Sequence, residues 1–161
     1  MTKGWYNKSY EHSLASRGIK TIKNKCKINK NKVLYHATIK KINKFSKRDE
    51  PTFFSEDENF GKKYLGKNSK TIKVNINVNN TFCLNDKTLE KIINQYFGYF
   101  PEQTKRLIDN FNMSESWIRN VILSEIKEMG YDSVIIENDW DGGYGTMKSY
   151  IVFDQKNIKI I

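Results

Sequence analysis

Polar and apolar positions alternate over residues 33–38, where Val33, Tyr35 and Ala37 interleave with Leu34, His36 and Thr38. That period of two predicts a strand whose faces carry different residues. A short β-prone run, Pro51-Thr52-Phe53-Phe54, follows and stops at Ser55. Ser55 and Glu58 have the spacing of a capping box, Phe60 and Tyr64 share one helical face, and Gly66 suits the position just past a helix end. Clean alternation returns over residues 71–78 and predicts a half-buried antiparallel strand. The period then becomes helical. Asn85-Asp86 open a helix with Leu89, Ile92, Ile93, Tyr96 and Phe97 on one stripe. Pro101 fits the first turn of a second helix, with Leu107, Ile108 and Phe111 as its buried side. Ser114 caps a third, which carries Trp117, Ile118, Val121, Ile122, Ile126 and Met129 and stops at Gly130. Residues 133–137 read as a β-branched strand, 138–145 as a loop, 147–154 as a long final strand and 157–161 as a short apolar tail. Residues 5–19 predict a short helix stopped by Gly18, with Tyr10 and Leu14 inward. Strands, then helices, then strands imply an α+β sandwich. No repeat or linker divides the chain, so 1–161 reads as one domain with a basic lead segment over 1–31.

Composition adds three constraints. At 161 residues, with 38% hydrophobic and 13% aromatic content, the chain has material for a core. No apolar run approaches the length of a membrane span and no signal-peptide pattern opens the chain, so a cytoplasmic protein without a membrane partner is expected. Cys26 and Cys83 lie far apart and match no metal or redox spacing, and the two histidines are separated, so no metal site is expected and a reducing compartment is the default. Charge is less even. The net charge is +10, and residues 17–48 hold many lysines and few carboxylates. Such a stretch can attract nucleic acid or an anionic protein surface. The bland alternative is that lysines merely solvate the surface, as elsewhere in this Lys-, Asn- and Ile-rich chain.

Three blocks resemble one known family. Tyr35-His36-Ala37-Thr38 resembles the Tyr/Trp-His-Gly-Thr/Ser motif of diphtheria-toxin-like and poly-ADP-ribose-polymerase-like ADP-ribosyltransferases. Phe54-Ser55 followed by Tyr64 resembles their second motif, in which Phe-Ala or Phe-Ser precedes a nicotinamide-stacking tyrosine. Tyr150-Ile151-Val152-Phe153-Asp154 and then Ile158 resemble their last strand. The blocks stand in family order and span most of residues 33–161, and the compact form is similar to domains of phage and other mobile-element proteins. The resemblance implies a split β-sandwich with helices inserted between the N- and C-terminal strand groups, and NAD as substrate.

It also implies roles. His36 would hydrogen-bond a ribose hydroxyl, the Ala37 backbone would hold the nicotinamide amide, and Thr38 would support the adenosine side. Tyr64 would stack on the cationic nicotinamide ring, which suits an aromatic face. Ser55 has two candidate jobs, helix cap and ribose contact. Ala37 replaces the usual Gly and adds a methyl near the ligand. The larger departure is Ser149, which stands where the family has its catalytic Glu. An oxocarbenium-like transition state is helped by a nearby carboxylate, and serine supplies none. The carboxylates just upstream are Asp139 and Asp141, with Glu137 third, followed by Gly142, Gly143 and Gly145, which let backbone approach a ligand. A solvated hairpin loop is the competing reading for all three.

Two functions from different classes follow. One is a mono-ADP-ribosyltransferase of viral or toxin type, acting on a host protein or nucleic acid; single transfer is implied because chain elongation in the family goes with the absent Glu. The other is a catalytically inactive module binding nucleic acid or a protein partner through residues 17–48. An RNA 2′-phosphotransferase of related fold would need Arg and His residues arranged for a terminal phosphate, and no such set is found.

Overall fold

The computed structural model describes residues 22–40, 45, 52–97, 102, 116–140 and 146–161. The helices expected over 5–19 and after Pro101, together with Asp141, lie outside them.

Among the described residues eight strands form two sheets. The five-stranded sheet has the order β1 (Lys25–Cys26), β5 (Thr81–Leu84), β6 (Ser133–Trp140), β7 (Thr146–Val152), β3 (Thr52–Phe54). The three-stranded sheet has the order β2 (Leu34–Thr38), β4 (Lys70–Ile76), β8 (Ile158–Ile160). All pairings are antiparallel except β5 with β6. A parallel pair needs a long crossover, and the segment between them includes α2 (Asp86–Phe97) and α3 (Ser116–Glu128). A shorter helix, α1 (Phe60–Leu65), lies between β3 and β4. This is the α+β arrangement expected, with helices inserted between the two strand groups.

The five-stranded sheet is buried on both faces. Val134, Ile136 and Ile151 join Leu89, Ile92, Ile93, Val121, Ile122 and Ile126 in the core beneath α2 and α3. Ile135, Tyr150 and Val152 face the other way, into a second core with Leu34, Val74 and Ile76 of the smaller sheet. Double burial explains why Val134-Ile135-Ile136 is an apolar run without alternation. The smaller sheet is covered on one face and alternates.

Local signals behave unequally. Asn85 and Thr88 form a reciprocal cap: Asn85 Oδ1 accepts from the Thr88 N–H at 2.9 Å, and Thr88 Oγ1 accepts from the Asn85 N–H at 2.9 Å. Gly66 and Gly130 have φ of 89° and 96°, the left-handed backbone that glycine adopts at low cost after a helix. The capping box at Ser55 does not form. Its hydroxyl accepts from the Asp57 N–H and donates to the Asp57 carbonyl, closing a local turn, and α1 starts later with Asn59 as its cap residue. Three strands were not anticipated: β8, which was read as an apolar tail, and the pair β1 and β5. The β1–β5 pairing brings together Cys26 and Cys83, 57 residues apart in sequence, and the structure joins them in a disulfide. Two cysteines expected to share no metal or redox site are thus joined across the β1–β5 pair. Among the described residues no helix is long and apolar enough to cross a membrane.

Candidate active site

β3 is the junction of the two sheets. Thr52, Phe53 and Phe54 pair with Val152, Ile151 and Tyr150 of β7, and the next residue, Ser55, bridges to Tyr35 of β2. One step beyond the last β3–β7 pair therefore stand Ser55 and Ser149. Blocks distant in sequence meet at one end of the fold.

The β2 side is built from backbone. Tyr35 and Ser55 exchange N–H···O bonds of 2.9 Å each, so the Tyr35 peptide groups point away from β4. In an antiparallel ladder the residue two further on is oriented alike. The Ala37 N–H and C=O thus project from the same edge of β2, beyond the point where β3 has turned off. His36, between them, has Nδ1 2.8 Å from the Phe53 carbonyl. A carbonyl only accepts, so Nδ1 carries the proton, and in the neutral ring Nε2 is left as the acceptor. The rings of Phe45 and Phe54, at 5.2 and 5.6 Å, hold the imidazole in place. Thr38 is occupied locally: its hydroxyl donates to the Lys40 carbonyl at 3.0 Å and accepts from the Lys40 N–H at 3.2 Å.

The Ala37 methyl does not lie on the His36 face. Side chains alternate along β2, and the methyl meets α1 at Gly61. A Cβ placed on Gly61 would sit 2.4 Å from the Ala37 Cβ. The carbon that Ala37 adds is accommodated by the one that Gly61 lacks. α1 also carries position 64 in its backbone; the Tyr64 side chain lies outside the described residues.

The carboxylate side hangs from β6 and β7. Ser149 is 8% exposed and pairs with Ile136, whereas Asp139, 5% exposed, pairs with Met147. Between these pairs β6 has one residue more than β7, so Glu137 and Asn138 together oppose Lys148, a β-bulge. Facing partners share a side of the sheet, so Asp139 lies on the side of Met147 and Ser149. Counted regularly from Ile136, that side belongs to Asn138. The Ser149 hydroxyl donates to Asp139 Oδ2 at 2.7 Å. Glu137 is exposed, in the bulge. Residues 138–140, expected in a loop, instead continue the strand.

A cluster that sequence reasoning missed clamps the two sides together. The Tyr150 hydroxyl donates to Glu56 Oε1, and the Lys32 ammonium lies 2.8 Å from the same oxygen and 5.6 Å from the Tyr150 ring centre. Tyr150 follows Ser149, and Glu56 follows Ser55. Burial, reinforced by the Glu56 acceptor, pushes the Tyr150 phenol up to about 12. The Lys32 hydrogen bond and then that of Tyr150 hold Glu56 below its usual value, and the Glu56 partner raises Lys32. The ion pair is half-exposed and contributes little on its own. The sole sequence signal was position, a charged residue directly after Ser55.

Comparison with curated proteins and with solved structures finds no match. A family model does match: residues 30–161 fit that of the ADP-ribosyltransferase in polyvalent proteins. The match takes in the β2 edge, the β3 junction and the β6–β7 pair, which is most of the chain. With that coverage, and with the split-sheet α+β architecture, the chain belongs to the ADP-ribosyltransferases of polyvalent proteins, a mobile-element branch of the superfamily.

Proposed function

We propose that this chain takes ADP-ribose from NAD and transfers a single unit to a macromolecular acceptor, with Asp139 supplying the carboxylate. The observation that carries the reading is the contact between Ser149 and Asp139. A buried carboxylate lies 2.7 Å from the hydroxyl at the position where the family resemblance calls for an acid.

In the reaction the bond between the ribose C1′ and the nicotinamide nitrogen breaks, and its electron pair leaves with nicotinamide. The acceptor nucleophile bonds to C1′ and gives up its proton. Positive charge develops on the ribose between these events, and a fixed carboxylate in a water-poor site stabilises it. The Ala37 N–H and C=O offer one donor and one acceptor, the complement of a carboxamide. His36 Nε2 accepts from a ribose hydroxyl. Tyr64 on α1 is assigned the nicotinamide stack, Ser55 a place at the sheet junction beside the ribose, and Thr38 the adenosine side. A host protein in the cytoplasm of an infected cell is the acceptor this reading favours, as for a viral or toxin-type effector. Nucleic acid bound through residues 17–48 is the alternative.

Calorimetric titration with NAD, paired with an assay of nicotinamide release with and without cell lysate, tests the reading. Binding plus release that Tyr64→Ala abolishes is expected. Binding without release would leave only a catalytically inactive module. Salt-sensitive nucleic-acid binding that is indifferent to Tyr64→Ala, without nicotinamide release, would favour the basic-surface alternative.

A further inference from the structure

We infer that Ser149 and the extra residue of β6 form a positioning device that moves the carboxylate of the reaction from β7 to β6, an inference that rests on the transferase reading above. The two placements match in reach from position 149. A glutamate at position 149 would carry its carboxylate oxygens roughly 2.4 Å beyond the place of a serine Oγ, two bonds across a trigonal carbon. Asp139 Oδ2 lies 2.7 Å from the Ser149 Oγ. An aspartate reaching in from β6 therefore brings its oxygen to about the same distance from the position-149 side chain as a glutamate from β7 would.

Two features make that reach possible. The first is the bulge. A regular ladder continued from Ile136↔Ser149 would put Asn138 opposite Met147 and turn Asp139 to the other side of the sheet. The additional residue gives that place to Asp139. The second is the identity of residue 149. A carboxylate is acceptor-only and is best held by a donor, and the serine hydroxyl is a donor of the right length. A glutamate there, with Asp139 kept, would bring two buried carboxylates together, and each would oppose the charge of the other. Acid and hydroxyl are thus a matched pair, one of each, with either strand able to carry the acid.

The test is a transposition, made in the full chain and followed by kcat, KM for NAD and melting temperature. Asp139→Ser and Ser149→Glu are each expected to cut kcat by about 100-fold. The double variant D139S/S149E, with acid and hydroxyl exchanged, is expected to recover to within about tenfold of wild type. Ser149→Ala removes the donor without adding charge: kcat falls about tenfold while KM and the melting temperature hold, and Ser149→Thr, which keeps the hydroxyl, restores kcat. A folded double variant no better than Asp139→Ser overturns the inference, as does a Ser149→Ala protein with wild-type kcat. A wild-type chain that releases no nicotinamide overturns the transferase reading and the inference with it. The wild-type measurement alone distinguishes the two failures.

Discussion

The two sides of the candidate site are built from different materials. On the β2 side the groups proposed to meet a ligand are mostly backbone: the Ala37 N–H and C=O at the strand edge past the Tyr35–Ser55 bridge, with the His36 imidazole fixed by the Phe53 carbonyl. On the β6–β7 side the proposed chemistry rests on one side-chain charge, Asp139, and one hydroxyl, Ser149. A backbone group survives substitution of its own side chain, so glycine can become Ala37 if a neighbour, here Gly61, yields the space. A charge does not survive loss of its residue and must be resupplied from elsewhere in the fold. The first side keeps its motif in sequence. The second keeps it only in space.

That contrast orders the consequences of mutation. The largest effect is expected on the charge side, where Asp139→Asn should reduce nicotinamide release by about 100-fold or more with the fold intact, whereas Ala37→Gly should change it by less than about threefold. Comparable losses from both would break the distinction. The next effect probes the methyl exchange. Gly61→Ala brings two methyls to 2.4 Å, and overpacking of this kind costs about 1–3 kcal/mol. Adding Ala37→Gly should recover most of it, read as a double-mutant cycle in urea; additive losses would mean that the two positions do not compensate.

A third prediction concerns the clamp between the sides. The folded state holds the Tyr150 phenol raised, to about 12, so its neutral form is favoured by folding. The associated stability is present below the unfolded tyrosine value near 10 and is lost as pH rises from about 10 to 12. The loss is on the order of 2 kcal/mol, and Tyr150→Phe should flatten that part of the pH–stability curve. The smallest effect is expected at Thr38, whose hydroxyl bonds within its own turn at Lys40. Thr38→Val should shift stability by no more than about 1 kcal/mol. Its proposed place on the adenosine side allows a rise in KM for NAD of up to about threefold; a larger rise would mean that the β2 side uses side chains more than its geometry suggests.

What could be read in the sequence follows the same division. Alternation in β2 and β4, the stripe positions Leu89, Ile92 and Ile93 of α2 and Val121, Ile122 and Ile126 of α3, and the glycines after α1 and α3 are local signals, and the fold uses them as they stand. β5 was missed because Thr81-Phe82-Cys83-Leu84 is buried at every position and shows no alternation. The Ser55–Glu58 spacing misled because a serine hydroxyl can close its own turn as readily as it caps a helix. The disulfide depends on β1–β5 register, which cysteine spacing does not encode. Asp139 was within reach as one of three upstream carboxylates. What set it beside Ser149 was an unpaired residue at Glu137-Asn138, and a bulge inverts the parity on which strand reading relies.

The most direct test of the account is nicotinamide release at saturating NAD by wild-type protein and by Asp139→Asn, with both shown to be folded by circular dichroism. Turnover in the wild type that falls by about 100-fold or more in the variant is the predicted result. Equal turnover in the two would contradict it, because the buried carboxylate beside Ser149 would then not be the acid of this site.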